Sequence, residues 1–382
     1  MVDKNPGINI IEVDSRSSQY QTGIGRYFDV LRECAPKNIK TLRIIFYRSA
    51  NSKEIRIVDA DDEISIFHPP AFPANIMFET VIQFIGARLR GMKNLIVKCN
   101  CLGFENFAYA LKSRVYCKTI GILHCLPHNS PESIKNRKQN PNTPMFPILN
   151  PYHNMDHIII VCNAGKEWLA GCRNERPFSV IYNGVARPGR PQAQKPDDGI
   201  FRFIFANGLS PRKGFAKIIP AISTVAKKHK IRVYVLGGSE GQEKILSEIK
   251  KLPVTYVGLL TDSIKIQKYY EMADCALFAS DSEACSFSGI EAMANKLPVI
   301  TTTTGGPDGL DEMFDRTALG IPMDAESNFN PDEYAAAMTQ VIESKTARKK
   351  LSLLSHARYL EQYTADRMIK DTVKLYKKLL GL

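Results

Sequence analysis

Residues 279–301, Ala-Ser-Asp-Ser-Glu-Ala-Cys-Ser-Phe-Ser-Gly-Ile-Glu-Ala-Met-Ala-Asn-Lys-Leu-Pro-Val-Ile-Thr, run from the end of one strand to the start of the next. The apolar run Cys275–Ala279 reads as a buried strand. A loop of small polar residues follows, and the Ala- and Met-rich segment Ile290 to Lys296 reads as a helix. Pro298-Val-Ile-Thr begins a further strand. Glu283 stands in the loop and Glu291 on the first turns of the helix, eight positions on. A helix start leaves backbone N–H groups unpaired and carries the positive end of the helix dipole. The amides of Ser286, Phe287 and Ser288 therefore suit a phosphate or a polar sugar edge. Carboxylates beside that anion site accept hydrogen bonds from hydroxyls. A phosphate cradle flanked by two such acids points to a nucleotide-sugar pocket. The plain alternative, a helix start with surface glutamates, stays open on these two residues alone.

The stretch resembles the Glu-x7-Glu signature of retaining GT-B glycosyltransferases of the family 4 type, the glycosyl transferases group 1. That signature usually reads Glu-Gly-Phe-Gly, then Pro or Ser, an apolar pair and a second Glu. Here it is Glu283-Ala-Cys-Ser-Phe-Ser-Gly-Ile-Glu291, with Ala284 and Ser286 in place of the glycines. The resemblance implies that Glu283 contacts the donor sugar near the reacting carbon and that Glu291 holds the ribose hydroxyls. It implies a UDP- or GDP-sugar as donor substrate, with no cofactor and no metal.

Composition agrees with such an enzyme without singling it out. The chain has 382 residues, 44% hydrophobic and 24% charged, enough for two domains with separate cores. No apolar run approaches the length of a membrane span, and the N-terminal residues are polar rather than leader-like. The nine cysteines are an odd, scattered set, several inside apolar runs, which favours a reducing cytoplasm. Cys99-Asn-Cys101 has no second pair at zinc spacing. The net charge of +12 is uneven: residues 1–190 hold 25 Lys and Arg against 16 Asp and Glu. A basic first half attracts an anionic partner, such as a phosphorylated or lipid-linked acceptor or the inner face of a membrane. A generic basic surface is the competing explanation. Nucleic acid is disfavoured, because no basic run is interleaved with aromatics.

Along the chain, Gly7–Asp14 reads as a strand, followed by a polar loop and then Gly23-Ile-Gly25-Arg26 at the start of a helical pattern. The resemblance places Gly23 and Gly25 against the donor phosphates and the acceptor; a tight turn is the plainer account. Strand-like runs recur at 41–47, 54–59, 64–67, 94–101 and 118–126, with helical patterns at 75–92 and 104–113. This alternation predicts a parallel sheet covered on both faces. His124 falls at the end of a buried strand, where open α/β sheets bind ligands. By resemblance it faces the donor sugar, where an imidazole can hydrogen-bond a hydroxyl and stabilise charge. Residues 129–153 form a long polar excursion, read either as acceptor-lining or as solvated.

Asn183-Gly184-Val closes the first half at a turn, and Arg187 to Gly199 reads as a linker. The second half opens with strand Phe201–Gly208 and the turn Leu209-Ser-Pro-Arg212-Lys213-Gly214. Basic residues at a strand-to-helix turn suit a diphosphate. The family's Lys-Gly is present as Lys213-Gly214, but Gly208 stands where the family has Arg, and Arg212 is the candidate substitute. The predicted fold is α/β: two doubly wound, Rossmann-like domains facing a central cleft. The first covers residues 1–188 and the second 189–362. A basic amphipathic helix over 363–382 crosses back to the first domain or lies on a membrane surface.

The predicted function is a retaining hexosyl transfer in polysaccharide or glycoconjugate synthesis, at the cytoplasm or the inner membrane face. The acceptor is a hydroxyl on an oligosaccharide or a lipid-linked carrier. A catalytically silent GT-B subunit and a nucleotide-sugar epimerase are the alternatives.

Overall fold

The computed structural model describes residues 6–17, 23–48, 54–69, 73–100, 104–124, 154–171, 175–189, 194–304, 308–323 and 329–382. The 129–153 excursion lies outside the described residues.

The first domain runs β1 (Ile8–Ser17), α1 (Gly23–Cys34), β2 (Ile39–Arg48), β3 (Arg56–Asp59), β4 (Glu63–His68), α2 (Ala74–Leu89), β5 (Leu95–Cys99), α3 (Glu105–Lys112), β6 (Lys118–Leu123), β7 (His157–Ile160), α4 (Ala164–Gly171) and β8 (Phe178–Val180). Its sheet has the order β3-β4-β2-β1-β5-β6-β7-β8. Every residue of β5 and β7 is buried, Lys98 and His157 among them, as strands of a sheet covered on both faces are. One expectation fails at the edge. β3, read as a member of a parallel series, pairs antiparallel with β4. Only residues 60–62 join the two strands, too few for a crossover, so the chain makes a hairpin.

The second domain runs β9 (Phe201–Phe205), a 3-10 turn (Pro211–Lys213), α5 (Phe215–Ala226), β10 (Ile231–Leu236), α6 (Glu243–Ile249), β11 (Val254–Gly258), α7 (Ser263–Met272), β12 (Cys275–Leu277), α8 (Phe287–Ala294), β13 (Val299–Thr303), α9 (Gly309–Phe314), β14 (Leu319–Pro322), α10 (Pro331–Glu343) and α11 (Lys345–Gln362). The sheet order is β11-β10-β9-β12-β13-β14, parallel throughout. Alternation divides its two faces. Phe203, Phe205, Val233, Val235, Cys275 and Leu277 share one core with α5 and α10. Ile204, Leu236, Ala276 and Phe278 belong to a second core, which continues into the first domain.

The last helix, α12 (Ala365–Leu380), buries Ala365, Met368, Ile369, Thr372, Leu375 and Tyr376, one stripe at helical spacing. That stripe packs against α1. Burying Met368, Ile369 and Leu375 is worth roughly 1.5–3 kcal/mol each. The C-terminal helix thus fastens the second domain's end to the first domain's core.

In both sheets strand order reverses beside the first strand, at β1/β5 and at β9/β12. Ligands of open α/β sheets bind at such switch points, outside the carboxyl ends of the strands.

Candidate active site

Ser286 is the N-cap of α8: its Oγ accepts from the Gly289 amide at 3.4 Å. The helix therefore begins at Phe287, three residues before the Ala- and Met-rich run, and Glu291 lies on its second turn. Phe287 and Ser288 supply the first two helical amides, groups with no intrahelical partner. Ser288 Oγ stands 2.8 Å from Ser286 Oγ and donates to Asn207 Oδ1.

Glu283 is buried in the loop before this helix. Its Oε1 accepts from Lys213 Nζ and, at 3.0 Å, from Ser280 Oγ. Asp308, at the start of α9, fixes the loop by accepting from Ser282 Oγ at 2.7 Å and from the Glu283 amide at 3.3 Å. Arg212 donates to the Ser282 carbonyl at 3.3 Å. Lys213 and Glu283, assigned from sequence to the diphosphate and the sugar, are thus paired with each other. Glu291 is flanked by Arg26, whose Nε lies 3.9 Å from its Oε1 across the cleft. Burial raises the Glu291 carboxyl above its ordinary pKa, and Arg26 and Tyr270 oppose that rise. Tyr270 itself donates to the Ser288 carbonyl at 3.1 Å.

His124 follows β6 directly. Its Nε2 is 3.3 Å from Asn100 Oδ1, and the ring packs edge-on to Tyr27 at 4.8 Å. Burial, assisted by the Lys98 ammonium, holds its pKa down to about 3. The imidazole is therefore neutral at pH 7: it can hydrogen-bond a ligand but supplies no positive charge, which narrows the role read from sequence. Lys98 is fully buried, 2.9 Å from Glu12 Oε1, with its ammonium 5.1 Å from the Tyr27 ring and 5.8 Å from that of Tyr376.

These groups face a cavity of about 550 Å³ between the domains. It brings together His124 from the first domain and Arg212, Lys213, Glu283, Ser286, Phe287, Ser288 and Glu291 from the second. Gly23 and Gly25 open α1, and from the same segment Arg26 lines the cavity. Sequence reasoning passed over Arg26, Asn183, Asn207 and Tyr270. Arg26 stood beside the chosen glycines, and Asn183 was read only as a turn residue. Asn183 donates to the Cys285 carbonyl at 2.7 Å, tying the end of the first half to the Glu283 loop.

Gly208 has a physical explanation. Its φ is 72°, in the left-handed region, and an added Cβ would meet the Gly238 carbonyl oxygen at 3.0 Å. A Cβ on Gly237 would lie 2.6 Å from the Gly208 Cα. The loops after β9 and β10 touch backbone to backbone, so an Arg side chain at position 208 is incompatible with this approach.

Residues 189–353 match the family profile described as Glycosyl transferases group 1, and the second domain is a domain of that kind. An uncharacterized glycosyltransferase of Methanocaldococcus jannaschii is 25% identical over 239 residues, covering 58% of this chain and 59% of that protein. A probable sucrose-phosphate synthase of Thermosipho melanesiensis is 28% identical over 183 residues, covering 46% of this chain and 41% of its own. The matches thus span less than two thirds of either relative's length. Among solved structures, the Anabaena protein HepE in complex with UDP-glucose superposes with a TM-score of 0.69 at 14% identity, over 96% of this chain and 99% of that one. The fold is GT-B.

Proposed function

We propose that the cleft transfers a glycosyl unit from a nucleoside-diphosphate sugar to a hydroxyl acceptor, with retention at the anomeric carbon and with no resident metal. The observation that carries this reading is the convergence of Glu283, Glu291, Lys213 and the first turn of α8 on one cavity. The cavity is of the size that takes a small-molecule ligand. Glu291 accepts hydrogen bonds from the ribose hydroxyls, the α8 amides and Lys213 hold the diphosphate, and Glu283 and neutral His124 position the sugar from opposite domains. The acceptor hydroxyl attacks the anomeric carbon from the face of the leaving group. The bond to the diphosphate oxygen breaks, the new glycosidic bond forms, and the hydroxyl proton passes to that diphosphate oxygen. Positioning and charge stabilisation at the departing diphosphate provide the catalysis. The positive excess of the first half suits an anionic acceptor, such as a phosphorylated sugar or a lipid-linked phosphate.

The test is calorimetry with UDP, GDP, ADP and their sugars on the wild type and Glu291→Ala. HepE was solved with UDP-glucose, so UDP donors come first. Saturable binding of one nucleotide, weakened at least about tenfold in the variant, supports the reading, a loss of about 1.4 kcal/mol. NMR of the transferred product then reads its anomeric configuration. Absence of binding up to millimolar concentrations overturns it.

A further inference from the structure

We propose that Arg26 is the first domain's ligand for the donor diphosphate, and that it exchanges Glu291 for the diphosphate when the cleft fills. This rests on the nucleotide-sugar reading above.

Three observations converge on it. The first is the looseness of the Arg26–Glu291 pair. At 3.9 Å through Nε it is longer than a direct hydrogen bond, and the Arg26 side chain is 32% exposed. Among the described residues no hydrogen bond engages this guanidinium, which carries five donors in a planar fork suited to phosphate oxygens. The second is the commitment of the neighbouring cations. Lys213 is shared with Glu283 and Arg212 gives one hydrogen bond to the Ser282 carbonyl, so the second domain's cations meet a diphosphate already partly engaged and leave room for a further cation. The third is an unengaged donor buried behind the same cavity wall. Asn207 Oδ1 receives the Ser288 hydroxyl, while its Nδ2 is buried with no partner. Arg26, Asn207 and the opening residues of α8 line the same cavity, in which the Glu283 and Glu291 carboxylates are the acceptors.

Glu291 is the weaker long-term partner for Arg26. Its carboxylate accepts hydrogen bonds and is the group that ribose hydroxyls would occupy. Ligand binding then frees the guanidinium beside the incoming anion. Because α1 belongs to the first domain, the diphosphate then has ligands from both domains.

The experiment compares binding of the nucleoside diphosphate that the wild type takes, among UDP, GDP and ADP, with binding of its parent nucleoside. Arg26→Gln, on a partly exposed helical side chain, leaves the fold intact, which circular dichroism verifies. The expected result is at least a tenfold loss for the diphosphate and unchanged or tighter binding of the nucleoside, with a shallower salt dependence. Arg26→Lys recovers part of the loss. Equal tightening for both ligands makes Arg26 merely a competitor for Glu291 and overturns the proposal, as does no change for either. If the wild type binds none of the nucleotides, the nucleotide-sugar reading has failed and takes the proposal with it, an outcome visible before any variant is made.

Discussion

Burial fixes the protonation of single residues in the first domain, and that makes stability depend on pH in a defined direction. Burial and Lys98 lower the His124 pKa to about 3, and burial with Lys378 lowers that of His157 to about 4. A histidine held neutral in the fold gains its proton on unfolding. Its stabilising contribution is full above the unfolded value near 6.5 and is lost as pH falls toward the folded value. Between pH 6.5 and 5, each such residue is expected to remove about 1–2 kcal/mol. Urea unfolding at pH 7.5 and pH 5 checks this: His124→Gln should flatten the difference, and an unchanged difference would refute the assignment. At the diphosphate side, Lys213→Met leaves the buried Glu283 without its cation, an expected loss of about 2 kcal/mol. The double variant Lys213→Met/Glu283→Gln should recover stability without recovering donor binding. A double variant no more stable than the single one would mean that the pair is not what holds the loop. The acids and Lys213 were legible in sequence because their chemistry is carried by residue type and spacing. That Lys213 pairs with Glu283 was not, since it depends on loops 70 residues apart meeting in space.

Element by element, the sequence read best where periodicity spoke for itself. The helices α10, α11 and α12 and the long strands of both sheets follow from apolar spacing. Short elements were missed. α9 has six residues and β14 has four with Gly and Pro among them, too little for a pattern. The start of α8 was legible: the amides of Ser286, Phe287 and Ser288 read as a helix start, and the Ser286 cap puts the first helical residue at Phe287. The turn carrying Lys213 shows how strictly such an element is built. Gly214 has φ 73°, and an added Cβ would come within 1.9 Å of the Ala279 carbonyl oxygen. Ala279 lies just after β12, so this turn rests on the chain leading to Glu283. Gly214→Ala must displace backbone as well as strain it. It is expected to cost about 2 kcal/mol or more and to weaken donor binding by moving Lys213. Urea titration and nucleotide calorimetry on the one variant check both; wild-type values in each would show that the turn tolerates a side chain.

For the whole molecule, the question is what makes two sheets behave as one cleft, and a single carboxylate at the rear supplies much of the polar answer. Glu312 on α9 of the second domain accepts from the Asn163 amide at 2.7 Å, from Asn163 Nδ2 at 2.7 Å and from the Ala164 amide at 3.3 Å. Those amides open α4 of the first domain, so a carboxylate from one domain caps a helix of the other, where the helix dipole favours negative charge. The Tyr182 hydroxyl also donates to Glu312, and burial with this carboxylate pushes its pKa up, keeping it protonated as a donor. Beside this clasp, Val185 pairs with Thr364 and the Tyr359 hydroxyl donates to the Val185 carbonyl at 3.1 Å, fastening the linker to the start of α12. None of this was readable in sequence, because Glu312 lies 149 positions from Asn163 and belongs to a helix too short to be seen. Glu312→Ala leaves both sheets and their cores intact but removes the shared acceptor. A loss of about 1–2 kcal/mol is expected from the lost hydrogen bonds to this carboxylate, which are exposed or part-buried. Calorimetric unfolding should broaden or divide into two transitions as the domains uncouple, and scattering should report a larger radius of gyration. Glu312→Gln keeps one acceptor oxygen and should fall between. A single transition at the wild-type midpoint in Glu312→Ala would show that the continuous apolar core alone couples the domains.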